Sequence, residues 1–357
     1  MALDALRGFD MFWIVGMDEL AQAVGKLSDA GPVRLLKEQT DHVAWTGFHF
    51  YDLIFPMFVF IVGASLVFSL GRLVEKEGRA VAVRRVISRA LLMYLIGIFY
   101  YGGLNGPLER IRLLGVLQRI ALAYLFAGLV FCYLDLRGRV AACLGLLVGY
   151  WALMTFVPVP GFGAGDFAEG HNLANWIDRQ YLPWRKWDGD HDPEGLLSTM
   201  TAVASCLLGV FAGMLLQARS VAPARKVIWL MAGGAALALL GWVWHLQFPV
   251  IKKIWTSSFV LVAGGYSALL LGAFYQVIEI WNWRAWAQPF VWIGMNPITI
   301  YLIHQLVDLP GIAKRFVGGP ISAGLGHYAD AVVALVVVLL SFAICRFLYQ
   351  RKRFLRL

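Results

Sequence analysis

The stretch that decides the fold is Asp41–Gly63, DHVAWTGFHFYDLIFPMFVFIVG, because it places ionisable side chains directly before an apolar run of membrane length. If the part up to Pro56 is largely helical, four side chains recur at helical spacing and share one face. They are His42, Trp45, His49 and Asp52. The pattern predicts a reactive group of side chains at the mouth of a membrane-spanning helix.

The composition excludes an ordinary soluble domain. Of the 357 residues, 60% are hydrophobic and 15% are charged, whereas soluble domains contain about 45–50% apolar residues. Roughly ten apolar runs of about 20 residues use most of the chain. They lie at about 5–24, 53–71, 86–104, 113–134, 139–157, 196–217, 227–245, 255–280, 286–307 and 329–349. We therefore predict an all-α, polytopic membrane bundle of about ten helices, with a single domain over 1–357 and an outer-side loop at about 158–195.

Basic residues account for the net charge of +9 and gather at the ends of alternating apolar runs, as cytoplasmic loops of membrane proteins require. The residues that follow the second, fourth, sixth and last runs are Arg72, Lys76, Arg79, Arg84, Arg85, Arg89, Arg137, Arg139, Arg219, Arg225, Lys226, Arg351, Lys352, Arg353 and Arg356. They predict that both termini are cytoplasmic and that His42 faces the other side of the membrane. We expect a lipid bilayer around the chain and no nucleic-acid partner.

His42 is the candidate catalytic residue, since histidine titrates near neutral pH, at about 6.5, and can act there as a base or a nucleophile. A carboxylate would orient its ring, and two are available. Asp52 is in the same segment, and Asp18 is predicted near the outer end of the first helix. A structural histidine at the membrane interface is the alternative interpretation. His42, His49 and Asp52 form no tight ligand motif, so we expect no metal.

Two motifs suit an anionic ligand. ERIRLLGVLQRIALAYL places Gln118 and Arg119 inside the fourth run, where an arginine seeks phosphate or carboxylate, with a structural salt bridge as the alternative. KKIWTSSF supplies ammonium, indole and hydroxyl donors that suit a phosphate or a sugar. The candidate cofactor-binding residues are Gln118, Arg119, Lys252, Lys253, Trp255, Ser257 and Ser258.

Two more motifs begin helices. HDPEGLLSTM predicts the start of the sixth helix, where Asp192 and Glu194 would complement the helix dipole. In WIGMNPITIYLIHQLVD, Asn296 and the proline after it predict a helix break near a cavity. The candidate substrate-binding residues are Trp45, His49, Asn296 and His304, although His304 also fits a buried, hydrogen-bonded histidine.

Six motifs, in order, resemble the heparan-alpha-glucosaminide N-acetyltransferase family and its bacterial relatives, within a broader group of transmembrane acyltransferases. They are LDALRGFDM, HVAWTGFHFYDLIFPMFVFIVG, IRLLGVLQRIALAY, DPEGLLST, KKIWTSSF and GMNPITIYLIH. The resemblance implies that acetyl-CoA on the cytoplasmic side donates acetyl to the amine of a terminal glucosamine on the other side. It also implies that His42 is the active-site histidine and that the protein is a homodimer.

The resemblance places Asp18 where the human lysosomal member of this family has asparagine, and we expect this protein to lack the extended N-terminal lumenal part of that member. We therefore expect a bacterial inner-membrane location, and the role of Asp18 stays open.

These observations together predict a membrane acyltransferase that moves acetyl from acetyl-CoA to an amino sugar or glycan. His42 is the acetyl acceptor or the general base, and Asp18 or Asp52 supports it. The alternative is a transporter or exporter of a sugar or lipid-linked glycan that performs no acyl chemistry.

Overall fold

The computed structural model describes residues 1–355, and Arg356, one of the basic residues behind the predicted orientation, lies outside them. Within that range the chain forms helices and only two isolated β-bridges, which confirms the all-α fold. The α-helices are α1 (Ala2–Phe12), α2 (Asp18–Gly25), α3 (Gly31–Gln39), α4 (Ile54–Glu77), α5 (Arg79–Tyr100), α6 (Val116–Tyr133), α7 (Leu136–Phe156), α8 (Leu173–Tyr181), α9 (Thr199–Gln217), α10 (Pro223–His245), α11 (Ser257–Tyr275), α12 (Gln288–Gly294), α13 (Pro297–Leu306), α14 (Leu309–Val317), α15 (Pro320–Leu325) and α16 (Ala329–Gln350).

Seven of the described helices are long and apolar enough to cross a membrane, as expected of a polytopic membrane protein. With their adjoining turns they are Phe50–Glu77, Val116–Tyr133, Leu136–Phe156, Thr199–Gln217, Pro223–His245, Ser257–Ile280 and Pro320–Gln350. They correspond to seven of the ten predicted segments.

The other three predicted segments are helical but broken or charged. In the first, α1 and α2 are separated by a π-helical turn, Trp13–Met17, in which Gly16 has φ of +118°. This break was not predicted. It places Asp18 at the start of α2 instead of on a continuous first helix. The third coincides with α5, whose first half is basic. The ninth is divided between α12 and α13 at Asn296, as predicted from the following proline.

The chain forms two compact units. Of the described residues, the first contains 1–44, 48–54 and 273–355, and the second contains 45–47 and 55–272. In the first unit α1 crosses α12 at Gly8 and Gly294. A Cβ on Gly8 would lie 1.6 Å from the carbonyl oxygen of Phe290, and one on Gly294 would lie 1.9 Å from that of Asp4. Small residues at such crossings let helix backbones touch and pack without side chains between them.

The second unit contains a similar crossing between α4 and α9. A Cβ on Gly63 would lie 1.9 Å from the carbonyl oxygen of Cys206, and one on Gly209 would lie 1.8 Å from that of Phe60. Any larger side chain at either glycine would push the two backbones apart. This contact fixes the position of α9, and the loop immediately before α9 carries a buried cluster of charges described below.

Candidate active site

The segment from Asp41 to His49 is irregular, so the predicted helical face is wrong. Gly47 has φ of +129°, which a helix does not accommodate, and regular structure starts only at the 3-10 turn Phe50–Leu53. The chain instead folds back on itself and brings the two ends of the segment together. His42 and Asp52 are therefore neighbours because the loop turns back, and not because they share one face of a helix.

His42 and Asp52 form a hydrogen-bonded pair. The distance between His42 Nδ1 and Asp52 Oδ1 is 2.8 Å, and the side chain of His42 is 50% exposed whereas that of Asp52 is 2% exposed. A carboxylate on Nδ1 selects the tautomer that carries its proton there and leaves the lone pair on Nε2. Asp52 thus fixes the orientation and the tautomer of a half-exposed imidazole ring.

Asp52 is held by the backbone that precedes it. Its Oδ2 accepts hydrogen bonds from the backbone N–H groups of Val43, at 3.3 Å, and His49, at 3.0 Å. The second of these bonds closes a capping box at the start of the 3-10 turn. Both oxygens of this buried carboxylate are therefore engaged, and the carboxylate cannot rotate away from His42 without losing two backbone contacts.

Tyr51 and Asp18 support the other side of the histidine. The ring of Tyr51 lies 4.8 Å from that of His42, centroid to centroid, and its hydroxyl donates to Asp18 Oδ2 at 2.6 Å. Of the two carboxylates predicted to support His42, Asp52 makes the direct contact and Asp18 contacts Tyr51. We name His42, Asp52, Tyr51 and Asp18 the His42 cluster.

The side chains of the other two residues of the predicted face, His49 and Trp45, make different contacts. His49 Nδ1 is 3.1 Å from the backbone carbonyl oxygen of Asp41, so the ring closes the loop. Trp45 belongs to the second unit, where its indole N–H donates to the carbonyl oxygen of Phe167 at 2.9 Å. Their predicted role in substrate binding stays a prediction.

A buried ion-pair cluster in the second unit was not predicted. Arg112 donates through Nε and an η nitrogen to both oxygens of Asp192, at 2.9 and 2.7 Å, and also to Glu194, at 2.5 Å. Its guanidinium stacks on Tyr101 and Trp187, 4.6 and 4.8 Å from the ring centroids. We name Arg112, Asp192 and Glu194, together with Asp178, the Arg112 cluster.

The predicted start of the sixth helix is therefore wrong. α9 begins at Thr199, and the turns before it direct Asp192 and Glu194 to Arg112 instead of to a helix N-terminus. Asp178 ties this loop to α8 by accepting hydrogen bonds from the backbone N–H groups of Leu196 and Asp192, at 2.8 and 3.3 Å. Burial raises the pKa of Asp178 to about 6, and burial also raises the pKa of Glu194.

Arg119 is fully buried next to this cluster. It donates to Ser198 Oγ, and its guanidinium lies 4.8 Å from the ring centroid of Trp255. Its Nε and one η nitrogen have no hydrogen-bond partner among residues 1–355. Gln118 donates to the carbonyl oxygen of Arg112 at 3.3 Å, whereas its own side-chain oxygen accepts no hydrogen bond from the described residues.

The donors of KKIWTSSF bond to the protein itself. Ser257 and Ser258 are fully buried and donate to backbone carbonyl oxygens at 2.7 and 3.0 Å, and the indole of Trp255 donates to a serine hydroxyl at 3.0 Å. Lys253 pairs with two carboxylates of the long loop, and Lys252 is half-buried. The motif therefore contributes to packing in this structure, and its predicted role in binding the donor stays a prediction.

Asn296 and His304 lie in the first unit. The side-chain amide of Asn296 is buried at the N-terminus of α13, and neither of its polar atoms has a hydrogen-bond partner in the part of the chain that the structure describes. His304 Nε2 lies 2.9 Å from the hydroxyl of Ser341. His304 is thus hydrogen-bonded, as in the structural alternative, but only half-buried, and Asn296 keeps its hydrogen-bonding capacity for another group.

Comparison with known proteins agrees with these motifs. Residues 1–184 match the family model described as heparan-alpha-glucosaminide N-acetyltransferase, catalytic, and these are 184 of the 357 residues. The chain belongs to this family. The matched part contains the whole His42 cluster together with Arg112, Gln118 and Arg119, whereas Asp192 and Glu194 follow it.

Two curated relatives extend the similarity. The human protein named heparan-alpha-glucosaminide N-acetyltransferase is 27% identical over 329 residues, covering 75% of this chain and 49% of the relative. The mouse protein of the same name is 25% identical over 331 residues, with the same shares covered. The chain thus spans about half the length of these relatives.

Proposed function

We propose that the chain is a membrane acetyltransferase that moves acetyl from acetyl-CoA to the amine of a glucosamine-type sugar. Membership of the family supports acetyl transfer, and the name of the two relatives specifies a glucosaminide amine as their acceptor. The observation that carries the proposal is the His42–Asp52 pair, in which a buried carboxylate holds Nδ1 of a half-exposed ring at 2.8 Å.

The pair supports two chemical routes, and both need the lone pair on His42 Nε2. In direct transfer, the sugar amine attacks the thioester carbonyl carbon, Nε2 takes the proton from the amine, the C–S bond breaks, and the CoA thiolate leaves and is protonated. In the covalent route, Nε2 itself attacks the carbonyl carbon and CoA leaves as the thiolate. The amine then takes the acetyl group from the imidazole and loses a proton.

Asp52 contributes in the same way on either route. Both routes place positive charge on the imidazole, and a carboxylate bonded to Nδ1 stabilises that charge and keeps the ring oriented. The two backbone bonds to Oδ2 keep Asp52 in place while the charge develops. Such preorganised charges stabilise a transition state without moving.

For the donor we propose Arg119 as the leading contact. It is fully buried, and two of its guanidinium nitrogens have no partner among the described residues, which leaves donors for an anionic or carbonyl group of acetyl-CoA. Lys253 is a weaker candidate because it already pairs with two carboxylates. Gln118, with an unused side-chain oxygen, would accept from an amide of the pantetheine arm.

The orientation and the assembly belong to this proposal as well. We propose that both termini are cytoplasmic and that His42 faces the outer side, because basic residues follow the second, fourth, sixth and last predicted segments. Acetyl-CoA would then be used from the cytoplasmic side of a bacterial inner membrane by a homodimer. The multiple charges of CoA prevent it from crossing lipid, so only its acetyl-bearing arm would enter the protein.

The test uses the full chain in liposomes, with radiolabelled acetyl-CoA and glucosamine. The variant His42→Ala should lose about 100- to 10,000-fold in kcat, the usual contribution of a general acid or base. His171→Ala is the matched control, because that ring is also about half exposed and lies 3.0 Å from a carboxylate oxygen, that of Asp166, but has no place in the proposed active site. Wild-type rates for His42→Ala would contradict the role of His42.

A second candidate function is sugar transport without acyl chemistry. Asp10 in α1 is fully buried, and neither carboxylate oxygen has a hydrogen-bond partner within residues 1–355. Buried ionisable groups in membrane proteins commonly mark a substrate or ion path. Sugar uptake by liposomes without acetyl-CoA, together with no thermal shift on adding acetyl-CoA, would favour the transporter.

A further inference from the structure

The long outer loop contains a second group of ionisable side chains that the proposed function does not use. Oxygens of Glu169 and Asp188 and the Nε2 atom of His191 all lie within 4.8 Å of one another. The backbone N–H of Asp188 donates to the carbonyl oxygen of His191 at 3.1 Å, which closes a tight turn with Gly189 at φ of +86°. Two of the three side chains are therefore fixed by one short turn, and Glu169 approaches them from further up the loop.

His191 is oriented in the way that metal-binding histidines are. Its side chain is only 6% exposed, and its Nδ1 lies 2.7 Å from Asp190 Oδ1. A carboxylate on Nδ1 keeps the proton there and directs the lone pair of Nε2 away from it. That Nε2 atom lies 3.5 Å from Glu169 and 3.9 Å from Asp188 and has no hydrogen-bond partner in the described chain.

A lone pair that faces two carboxylate oxygens is unfavourable unless a proton or another cation lies between them. Lys253 supplies part of the positive charge, since its ammonium lies 3.0 Å from Glu169 and 3.1 Å from Asp188. The side chain of Lys253 is 33% exposed and its ammonium also lies 5.9 Å from the ring centroid of Trp45, so it has room to move away from the carboxylates when another cation binds. The ammonium neutralises negative charge on the two carboxylates. It acts only as a point charge, however, whereas the site also contains the imidazole of His191.

We propose that Glu169, Asp188 and His191 form a binding site for a Zn²⁺ ion, with Lys253 as the displaceable cation that occupies the site when zinc is absent. One imidazole nitrogen and two carboxylate oxygens suit zinc, whereas Ca²⁺ and Mg²⁺ prefer oxygen ligands alone. In a tetrahedral site with ligand distances of about 2.0–2.1 Å, neighbouring ligand atoms lie about 3.3 Å apart. The two distances from His191 are already close to that value.

The exposure of the ligands leaves room for a water molecule as the fourth ligand. Glu169 is 44% exposed and Asp188 is 20% exposed, so the side of the cluster opposite His191 is open to solvent. The turn that carries Asp188 and His191 leads directly into Asp192, which holds Arg112. Zinc would therefore fix the loop that completes the Arg112 cluster, a structural role separate from acetyl transfer.

The experiment measures zinc binding directly and needs no enzymatic activity. Purified full-length protein in detergent is treated with EDTA, desalted and titrated with Zn²⁺ against a chromogenic chelator, with Ca²⁺ as the comparison ion. We expect one Zn²⁺ per chain and a rise of the melting temperature that Ca²⁺ does not produce. His191→Ala should weaken binding at least tenfold. His171→Ala is the matched control, since His171 is on the same loop, 45% exposed, and pairs with Asp166.

Two more variants keep the test decisive if His191→Ala does not fold. Lys253→Met removes the competing cation and should tighten zinc binding, whereas a cluster built only as a salt bridge would bind no zinc in this variant either. Asp190→Asn should weaken binding by about 10- to 100-fold, the usual effect of losing the partner of a ligating histidine. No zinc bound by the wild type or by Lys253→Met at 100 μM (about 5.5 kcal/mol of binding free energy) would overturn the proposal, as would unchanged affinity in His191→Ala.

Discussion

The His42 cluster and the Arg112 cluster each pair a nitrogen base with carboxylates, but they differ in burial and in distance along the chain. His42 is 50% exposed and its partner is ten residues away. Arg112 is 3% exposed, and its partners are 80 and 82 residues away. The half-exposed histidine is the proposed catalytic group, whereas the buried cluster uses its charges to join distant parts of the fold.

The largest effect should come from changing the carboxylate of the His42–Asp52 pair. In Asp52→Asn, the side-chain oxygen can keep the two backbone bonds, and the amide NH₂ group would then face His42 and donate to Nδ1. The ring would adopt the other tautomer, with the proton on Nε2, and lose its basic nitrogen. We expect kcat to fall about 10,000-fold, as after the equivalent change in Ser-His-Asp hydrolases. Acetyl transfer from radiolabelled acetyl-CoA measures it.

Asp41→Asn is the matched control for this prediction. Asp41 Oδ1 accepts from the backbone N–H of His42 at 2.8 Å, but the side chain is exposed and does not contact the imidazole. Its kcat should stay within a few-fold of the wild type. If Asp52→Asn folds, as shown by an unchanged melting temperature, and retains more than a tenth of the wild-type kcat, the pair is not the catalytic base.

The buried cluster should respond to mutation through stability and not through chemistry. Arg112→Gln leaves two buried carboxylates without their cation, and breaking a buried ion pair in this way typically costs about 3–5 kcal/mol. We expect this loss in the free energy of unfolding, measured by denaturant titration in detergent. Arg110→Gln, an exposed arginine two residues earlier, should change it by less than about 0.5 kcal/mol. Equal stability of the two variants would contradict the structural role of Arg112.

The same difference explains what the sequence could and could not predict. His42 and Asp52 were selected because they are close in sequence and precede an apolar run, although the helical face that joined them does not form. Arg112 was missed because its partners lie on a separate motif, and no local spacing relates the two. The only signal was that DPEG and IRLLG each place charges just before a spanning helix, on the side predicted to be outer.

The two helix breaks also show what the sequence could and could not predict. The break at Asn296 was predicted because proline follows it and cannot donate the hydrogen bond that a helix interior requires. The break at Gly16 was not, because glycine within an apolar run is common in membrane helices and has no fixed consequence. That break directs Asp18 to Tyr51, so the support of His42 by the Tyr51 ring could not be foreseen from the spacing of charges.

The smallest expected effect is a pH dependence of stability that comes from Asp178 in the Arg112 cluster. Burial raises the pKa of Asp178 to about 6 from its ordinary value of 3.8, so the folded chain holds this proton more tightly than the unfolded chain. The stabilising contribution is therefore complete below pH 3.8 and is lost as the pH rises through about 6. The melting temperature of the wild type, relative to Asp178→Asn, should fall between pH 5 and pH 7.

Asp166→Asn provides the control of opposite sign. The backbone hydrogen bond from Ala168 lowers the pKa of Asp166, so its contribution is present above the ordinary value and is lost as the pH falls. Its difference from the wild type should therefore be flat from pH 5 to pH 7. Tryptophan fluorescence during heating measures all three proteins. A difference for Asp178→Asn that is equally flat would mean that Asp178 ionises in the fold as it does in water, and that the Arg112 cluster is more hydrated than its geometry indicates.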